Sequence, residues 1–433
     1  MSMDAPEFGA AEHDAALAAA AGDLTAAALD AADPLARFRD RFLRPAGPHG
    51  EAVVAYLDGN SLGRPLAETP AKLGEFVAGP WGERLIRAWD EEWMDEPTSV
   101  GDRLGEVVLG AAAGQTIVAD STSVLLYKLL RAALDAQAAA GEGRTEIVLD
   151  RDNFPTDRFI VEGIAAERGT RIAWIEADPL TGVRPADVAA VAGPRTAVVL
   201  LSHVAYRSGF MADAAAITQV AHDAGALILW DLCHSAASVP VELDAWGADL
   251  AVGCTYKYLN GGPGAPAFAY VRSDLQGRLR QPIWGWMGAA DPFGMTHAYE
   301  PAGDVRRFIT GTPPILAMQP LKHMLELVAE AGMDAVRAKS VALTERAIAL
   351  HDALLAPLGV ELASPRDPAE RGSHITVNHP RFREVTALLW QRGVIPDFRP
   401  PHGLRIGLSP LSTSFAELQA GMEAIRDALG DLA

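Results

Sequence analysis

TAVVLLSHVAYRSGFMADAAAITQVAHDAGALILWD, residues 196–231, decides the fold. It opens with an apolar run over 196–204 and closes with another over 226–231, and 212–224 between them reads as a helix. Strand, helix and strand at this spacing make a βαβ unit, and such units build parallel sheets with right-handed crossovers. The same alternation continues outward on both sides. Further strand candidates are 146–150 (EIVLD), 171–177 (RIAWIEA), 249–254 (DLAVGC) and 267–272 (AFAYVR), and 158–168 reads as another helix. The expectation is an α/β fold, with a mostly parallel sheet flanked by helices in a large domain.

After Gly311 the pattern changes. Helical periodicity dominates 315–355, and strand candidates at 374–378 and 404–408 alternate with helices at 381–392 and 414–429. This predicts a smaller α+β C-terminal domain over 313–433. The large domain spans 33–312, with 33–65 a candidate to pack with the small one. Residues 1–32 are Ala-rich with scattered acids and read as a frayed helix or a disordered stretch.

The chain has 433 residues, 49% of them apolar and 21% charged, which suits a globular enzyme with a large core. A net charge of -19 argues against nucleic acid or an anionic membrane as partner. No uncharged apolar run is long enough to span a bilayer. Two cysteines, Cys233 and Cys254, are too few for a disulfide framework. With no early basic residue before Arg37, the expected location is the cytoplasm. No metal-ligand pattern stands out.

Lysine is scarce, with five residues in the chain. Lys72, Lys128, Lys322 and Lys339 sit in helical patterns, where a solvated head is expected. Lys257 follows the apolar run DLAVGCTY and precedes YLNGGPG. There it is partly desolvated, which favours the neutral amine that attacks carbonyls. Read alone, it serves equally as a lysine snorkelling from a sheet edge. Asp231 ends the strand ALILWD, where open α/β sheets bind ligands, although an Asp there also caps helices. Together the two say more. A pyridine cofactor needs an anion at its ring nitrogen and an amine for its Schiff base. DSTSVLLY (120–127) leads into a helix and offers a phosphate site, and Phe154 in NFPTD (153–157) can stack on a flat ring.

An ordered set of motifs resembles the kynureninase family, within the fold-type I, aspartate-aminotransferase-like group of pyridoxal-phosphate enzymes. The matching stretches are YLDGNSLG (56–63), WGERLIRAW (81–89), DSTS (120–123), NFPTD (153–157), SHVAYRSG (202–209), WDLCHSAASVPVEL (230–243), GCTYKYLNGGPG (253–264), WGWMG (284–288), GTPPI (311–315), RGSH (371–374) and LRIGLSPL (404–411). The resemblance implies pyridoxal 5'-phosphate as cofactor and hydrolytic Cβ–Cγ cleavage of L-kynurenine, with 3-hydroxy-L-kynurenine a further candidate, to anthranilate and L-alanine. That reaction belongs to the kynurenine pathway, in tryptophan catabolism or NAD biosynthesis.

The same resemblance assigns roles. Lys257 carries the cofactor and acts as base at Cα, Asp231 meets the pyridine nitrogen, and Phe154 stacks on the ring. Thr122, Ser123 and Tyr256 lie at the phosphate, joined by Trp286 and Thr312 from a neighbouring subunit of a homodimer with shared active sites. Asp157, Ser202 and His234 match cofactor-contacting positions, and Tyr256 is the candidate proton donor to Cβ. Arg405 grips the substrate α-carboxylate. Asn60, Ser61 and Trp89 lie near the substrate, and Trp89 with Thr312 resembles the bacterial form that favours kynurenine. Leu125 departs from the pattern, where Asn is expected. Two rivals remain. A cysteine desulfurase-like lyase needs a cysteine beyond the lysine, whereas both cysteines here precede it. A non-catalytic cofactor-binding protein would be free to lose Lys257, Asp231 or Arg405, and all three are present.

Overall fold

The computed structural model describes residues 25–47 and 52–432. Its centre is a seven-stranded sheet in the order Thr116–Ala119, Ala267–Val271, Leu250–Gly253, Leu227–Asp231, Thr196–Ser202, Glu146–Asp150, Arg171–Ile175. Ala267–Val271 is antiparallel to both its neighbours, and the remaining pairs are parallel. The middles of the inner strands are apolar because both faces of the sheet are covered. Val148, Val199, Leu201, Ile228 and Trp230 enter one core, and Ile147, Leu149, Leu200, Leu229 and Val252 enter the other. The crossover helices Pro155–Arg168 and Ala214–Asp223 lie against these faces, and the Trp230 indole donates to Thr218 at 3.1 Å.

All six strand candidates of this region form. The seventh, Thr116–Ala119, escapes sequence reading. It is a short TIVA run whose antiparallel partner lies about 150 residues away, outside any βαβ spacing.

The C-terminal part carries a four-stranded antiparallel sheet in the order Asp397–Arg399, Gly403–Gly407, His374–Asn378, Glu361–Leu362. Helices Phe382–Gln391 and Phe415–Leu432 cover it. The helical stretch expected over 315–355 breaks at Gly332, whose φ of +79° suits glycine. Helix Ile315–Ala331 sends Met318, Leu321 and Leu325 into the large-sheet core, whereas Met333–Leu350 sends Leu343, Ala347 and Ile348 into the C-terminal core.

The Ala-rich start lies partly outside the described residues, which begin at Thr25. From there the chain is anchored, in contrast to the frayed or disordered reading. Thr25 caps helix Ala26–Ala32, Leu29 enters the C-terminal core, and the Asp30 carboxylate accepts from the Phe415 and Ala416 N–H groups. Residues 33–65 divide between the two cores. Phe38 and Phe42 pack under the large sheet, while Ala55–Tyr56 pairs in parallel with Val394–Ile395.

Two lysines expected to be solvated are buried. Lys128 donates to Asp120 at 2.6 Å and to the Phe308 carbonyl at 2.9 Å, and Lys339 pairs with Asp33. Each is buried because a carboxylate and its stem both find partners in the core, which helical periodicity does not reveal. Asp33→Ala would leave Lys339 buried without its carboxylate partner. The expected loss is about 3–5 kcal/mol, read as a lower urea midpoint with an unchanged slope.

Candidate active site

The site gathers at the carboxyl ends of the central parallel strands, where such sheets bind ligands. Ser202 and Asp231 end neighbouring strands and are paired in register. The Asp231 carboxylate accepts from the Cys233 N–H at 2.9 Å and from the Ser202 hydroxyl at 3.3 Å. One strand further, Leu250–Gly253 runs out into the loop that carries Lys257. That loop is clamped by the segment around Gly63, whose N–H donates to the Tyr256 carbonyl at 2.8 Å. A Cβ on Gly63 would stand 2.4 Å from the Lys257 carbonyl oxygen, so only glycine permits this approach.

Lys257 is 9% exposed, and among the described residues its amine meets no carboxylate. Its nearest polar partner is His234 Nε2 at 3.1 Å. Burial, with the Lys257 charge beside it, pushes the His234 imidazole well below its usual range. It is therefore neutral and accepts from the amine. The amine also stands 5.8 Å from the centroid of Phe154 and 6.0 Å from that of Tyr256. Asp157, in the first turn of helix Pro155–Arg168, is buried. Burial, reinforced by Asp231, raises its carboxyl well above the usual range. Burial also raises the Tyr256 phenol, which stays protonated at neutral pH.

Thr122 opens helix Thr122–Ala139, and its hydroxyl lies 3.9 Å from Cys233 Sγ. The turn before it is held by Asp120, at φ +48°, through the buried Lys128 ammonium. Ser123 is exposed beside Thr122 at the same helix start. Leu125 faces the core with Leu126 and Leu129, so its departure from the family pattern falls on a packing position.

A second group of residues comes from the C-terminal sheet. Arg405 is 1% exposed. It donates from Nε to Asp397 at 2.6 Å, from Nη1 to the Tyr206 carbonyl at 2.9 Å and from Nη2 to Ser61 at 2.9 Å. Tyr206 in turn packs edge-on to Phe154 at 5.3 Å, joining this group to the Lys257 group. Asn60 is fully buried beneath Gly407, with no partner for its amide among the described residues.

Three predicted residues lie elsewhere in this chain. Trp89 packs edge-on to Trp93 at 5.5 Å in a small cluster with Ala88 and Ile315. Trp286 is half exposed beside Phe293, and Thr312 is exposed. Sequence reasoning in turn missed Asn153, Tyr206, Asp397 and His374. Asn153 Oδ1 lies 3.0 Å from the Ser202 hydroxyl, and Asp397 holds Arg405. His374 closes the RGSH motif, but only the strand register shows that it faces Arg405.

These residues suit a phosphorylated pyridine aldehyde. A buried amine without a counter-ion is expensive unless it is consumed in a bond. Near it Asp157 Oδ2, Asn153 Nδ2 and His234 Nδ1 are buried without partners among the described residues, polar groups that a ligand can satisfy. Asp231 would supply the anion, and the Thr122 helix start would supply N–H groups for a phosphate.

Solved structures share the fold. The cysteine desulfurase CsdA from Escherichia coli aligns with a TM-score of 0.75 at 17% identity, over 92% of this chain and 99% of that one. A cysteine desulfurase from Thermococcus onnurineus NA1 aligns with a TM-score of 0.71 at 17% identity, over 87% and 93%. A C-DES variant with glycine covalently linked to its PLP cofactor aligns at 0.74 and 18%, over 86% and 96%. Fold and site together define a fold-type I enzyme that uses pyridoxal 5'-phosphate. Among sequence relatives, kynureninases from Burkholderia pseudomallei are 43% identical over 93% of this chain and 94% of their own length. The Pseudomonas fluorescens kynureninase is 41% identical over the same shares. The kynureninase C-terminal domain family matches residues 336–425. The chain belongs to the kynureninase family.

Proposed function

We propose that this chain hydrolyses the Cβ–Cγ bond of L-kynurenine, consuming water and releasing anthranilate and L-alanine. The observation that carries the reading is the buried Lys257 amine, which has no carboxylate partner among the described residues and is hydrogen-bonded to His234, an imidazole that also feels the Arg405 charge. When bound, pyridoxal 5'-phosphate supplies an electron sink for charge that develops on the substrate. Asp231 would hold its ring nitrogen, Phe154 its face, and Thr122, Ser123 and Tyr256 its phosphate. Asp157, Ser202 and His234 line the same site.

The chain's own residues do the rest. Arg405 binds the α-carboxylate and so fixes Cα near Lys257. The Lys257 amine takes the Cα proton, and neutral His234 keeps that amine in place without adding charge. The protonated Tyr256 phenol is placed to return a proton at Cβ as the bond to Cγ breaks. Ser61 and Asn60 border the substrate beside Arg405. Trp286 and Thr312 are assigned to the phosphate of a second copy in a homodimer, which accounts for their exposure here, and Trp89 to the substrate's aromatic end. The division into a cofactor domain and a smaller C-terminal domain belongs to the same reading, as does a cytoplasmic location. Among the described residues no helix is long and apolar enough to cross a membrane.

Purified, cofactor-loaded protein should release fluorescent anthranilate from L-kynurenine. A parallel assay with 3-hydroxy-L-kynurenine ranks the two substrates. No anthranilate release would leave a non-catalytic protein, and sulfur release from cysteine would leave a desulfurase. The latter is disfavoured by Cys233 and Cys254, which sit at adjacent strand ends with the Cys254 N–H donating to Cys233 Sγ at 3.3 Å. Neither is on a loop beyond the lysine. Arg405→Ala should lower kcat/KM by about 100-fold, mainly through KM, because it removes a buried charged donor from the carboxylate. An unchanged KM would take Arg405 out of the substrate site.

A further inference from the structure

His374 has no assigned role, yet its position is constrained. On the antiparallel ladder it pairs with Gly407, and Thr376, two residues on, pairs with Arg405. Residues two apart share a face, so His374 and Arg405 are diagonal neighbours on one side of the sheet. The His374 side chain is fully buried, and among the described residues its ring nitrogens make no close hydrogen bond, the Tyr206 backbone being the polar group that reaches them. Its ring lies 5.4 Å from that of His234, the hydrogen-bond partner of the Lys257 amine. A buried imidazole so weakly partnered calls for an explanation, and a ligand that completes the site supplies one.

The donor count at Arg405 says which ligand atoms are served. A guanidinium has five N–H groups. Here Nε donates to Asp397, Nη2 to Ser61 and Nη1 to the Tyr206 carbonyl, while Nη2 also sits close to the Asp397 carboxylate as an ion pair. One N–H on Nη1 and one on Nη2 remain. The Ser61 hydroxyl is itself engaged by Asp58. A carboxylate offers about four lone-pair sites on its two oxygens, so it can accept more than those two N–H groups supply. His374 is a further donor on that face.

We propose that His374 is a second hydrogen-bond donor to the substrate α-carboxylate, completing the grip that Arg405 begins. The proposal rests on the amino-acid substrate reading above. Burial, together with Arg405 and Lys257, holds the imidazole well below its usual range. It therefore donates one N–H without adding a third cation to a cleft that already carries two.

The test compares L-alanine with ethylamine, which lacks the carboxylate, binding to cofactor-loaded protein. Binding is followed by the change in cofactor absorbance. His374→Phe should weaken L-alanine about 10- to 100-fold, the loss of one hydrogen bond to a charged group, and leave ethylamine unchanged. His374→Gln keeps a donor and should stay within about threefold of the parent protein for both. Should the Phe variant fail to fold, His374→Leu takes its place and must show the same selective loss. Equal losses for both amines, or an unchanged L-alanine affinity, would overturn the assignment. Anthranilate release from L-kynurenine is measured alongside. Selective loss without any anthranilate release sinks the kynurenine reading and keeps His374, whereas release with unselective loss sinks His374 alone.

Discussion

Lys257→Ala is expected to lower kcat by at least about 10⁴-fold and to erase the visible absorbance of lysine-bound cofactor. Positioned proton transfer alone contributes up to about 10⁴-fold, and the covalent role of the amine comes on top of that. The expectation rests on a contrast within the chain. Lys128 and Lys339 are buried more deeply still, but each is tied to an aspartate and has a structural task. Lys257 is buried with only a neutral imidazole for company. Removing it frees the fold of an uncompensated amine, so stability should hold or rise while activity vanishes. Thermal unfolding, absorbance and anthranilate fluorescence on the same preparation separate the two effects. Turnover that survives in this variant would end the proposed mechanism.

What the sequence discloses follows from how local each signal is. The strand Leu227–Asp231 and the lysine after Leu250–Gly253 are legible because apolar runs and βαβ spacing are local patterns. Their order along the chain already puts an acid and an amine at the same end of the sheet. Thr116–Ala119 and the Asp397–Arg399 strand are not legible, since each is short and stabilised by a partner that local periodicity does not name. The same limit applies to the site. Arg405 stands out as a cation inside an apolar strand. Asp397 and Tyr206, which hold it, and His374, which faces it, become visible only through register and close packing. Lys128 shows the converse failure. A lysine on a helix reads as solvated until the turn at Asp120 folds back over it.

The second large effect is expected at Asp231. Asp231→Asn keeps the shape of the side chain, so an oxygen can still accept from the Cys233 N–H and the strand end should remain intact. What it loses is the negative charge, and with it the ability to keep the cofactor's ring nitrogen protonated. The expected fall in kcat is about 10²- to 10³-fold, the range seen when one preorganised electrostatic partner is removed, with KM changed only a few-fold. The variant also carries an internal check. Asp231 is one of the groups that raise the buried Asp157 carboxyl, after burial itself. Without that charge, Asp157 should ionise at lower pH than in the parent protein, which a carboxyl-selective infrared titration can follow. Asp231→Glu, which restores the charge at a longer reach, should recover part of the rate. A wild-type kcat in Asp231→Asn would confine this carboxylate to capping the turn at Cys233 and would leave the ring nitrogen without a partner in the sheet.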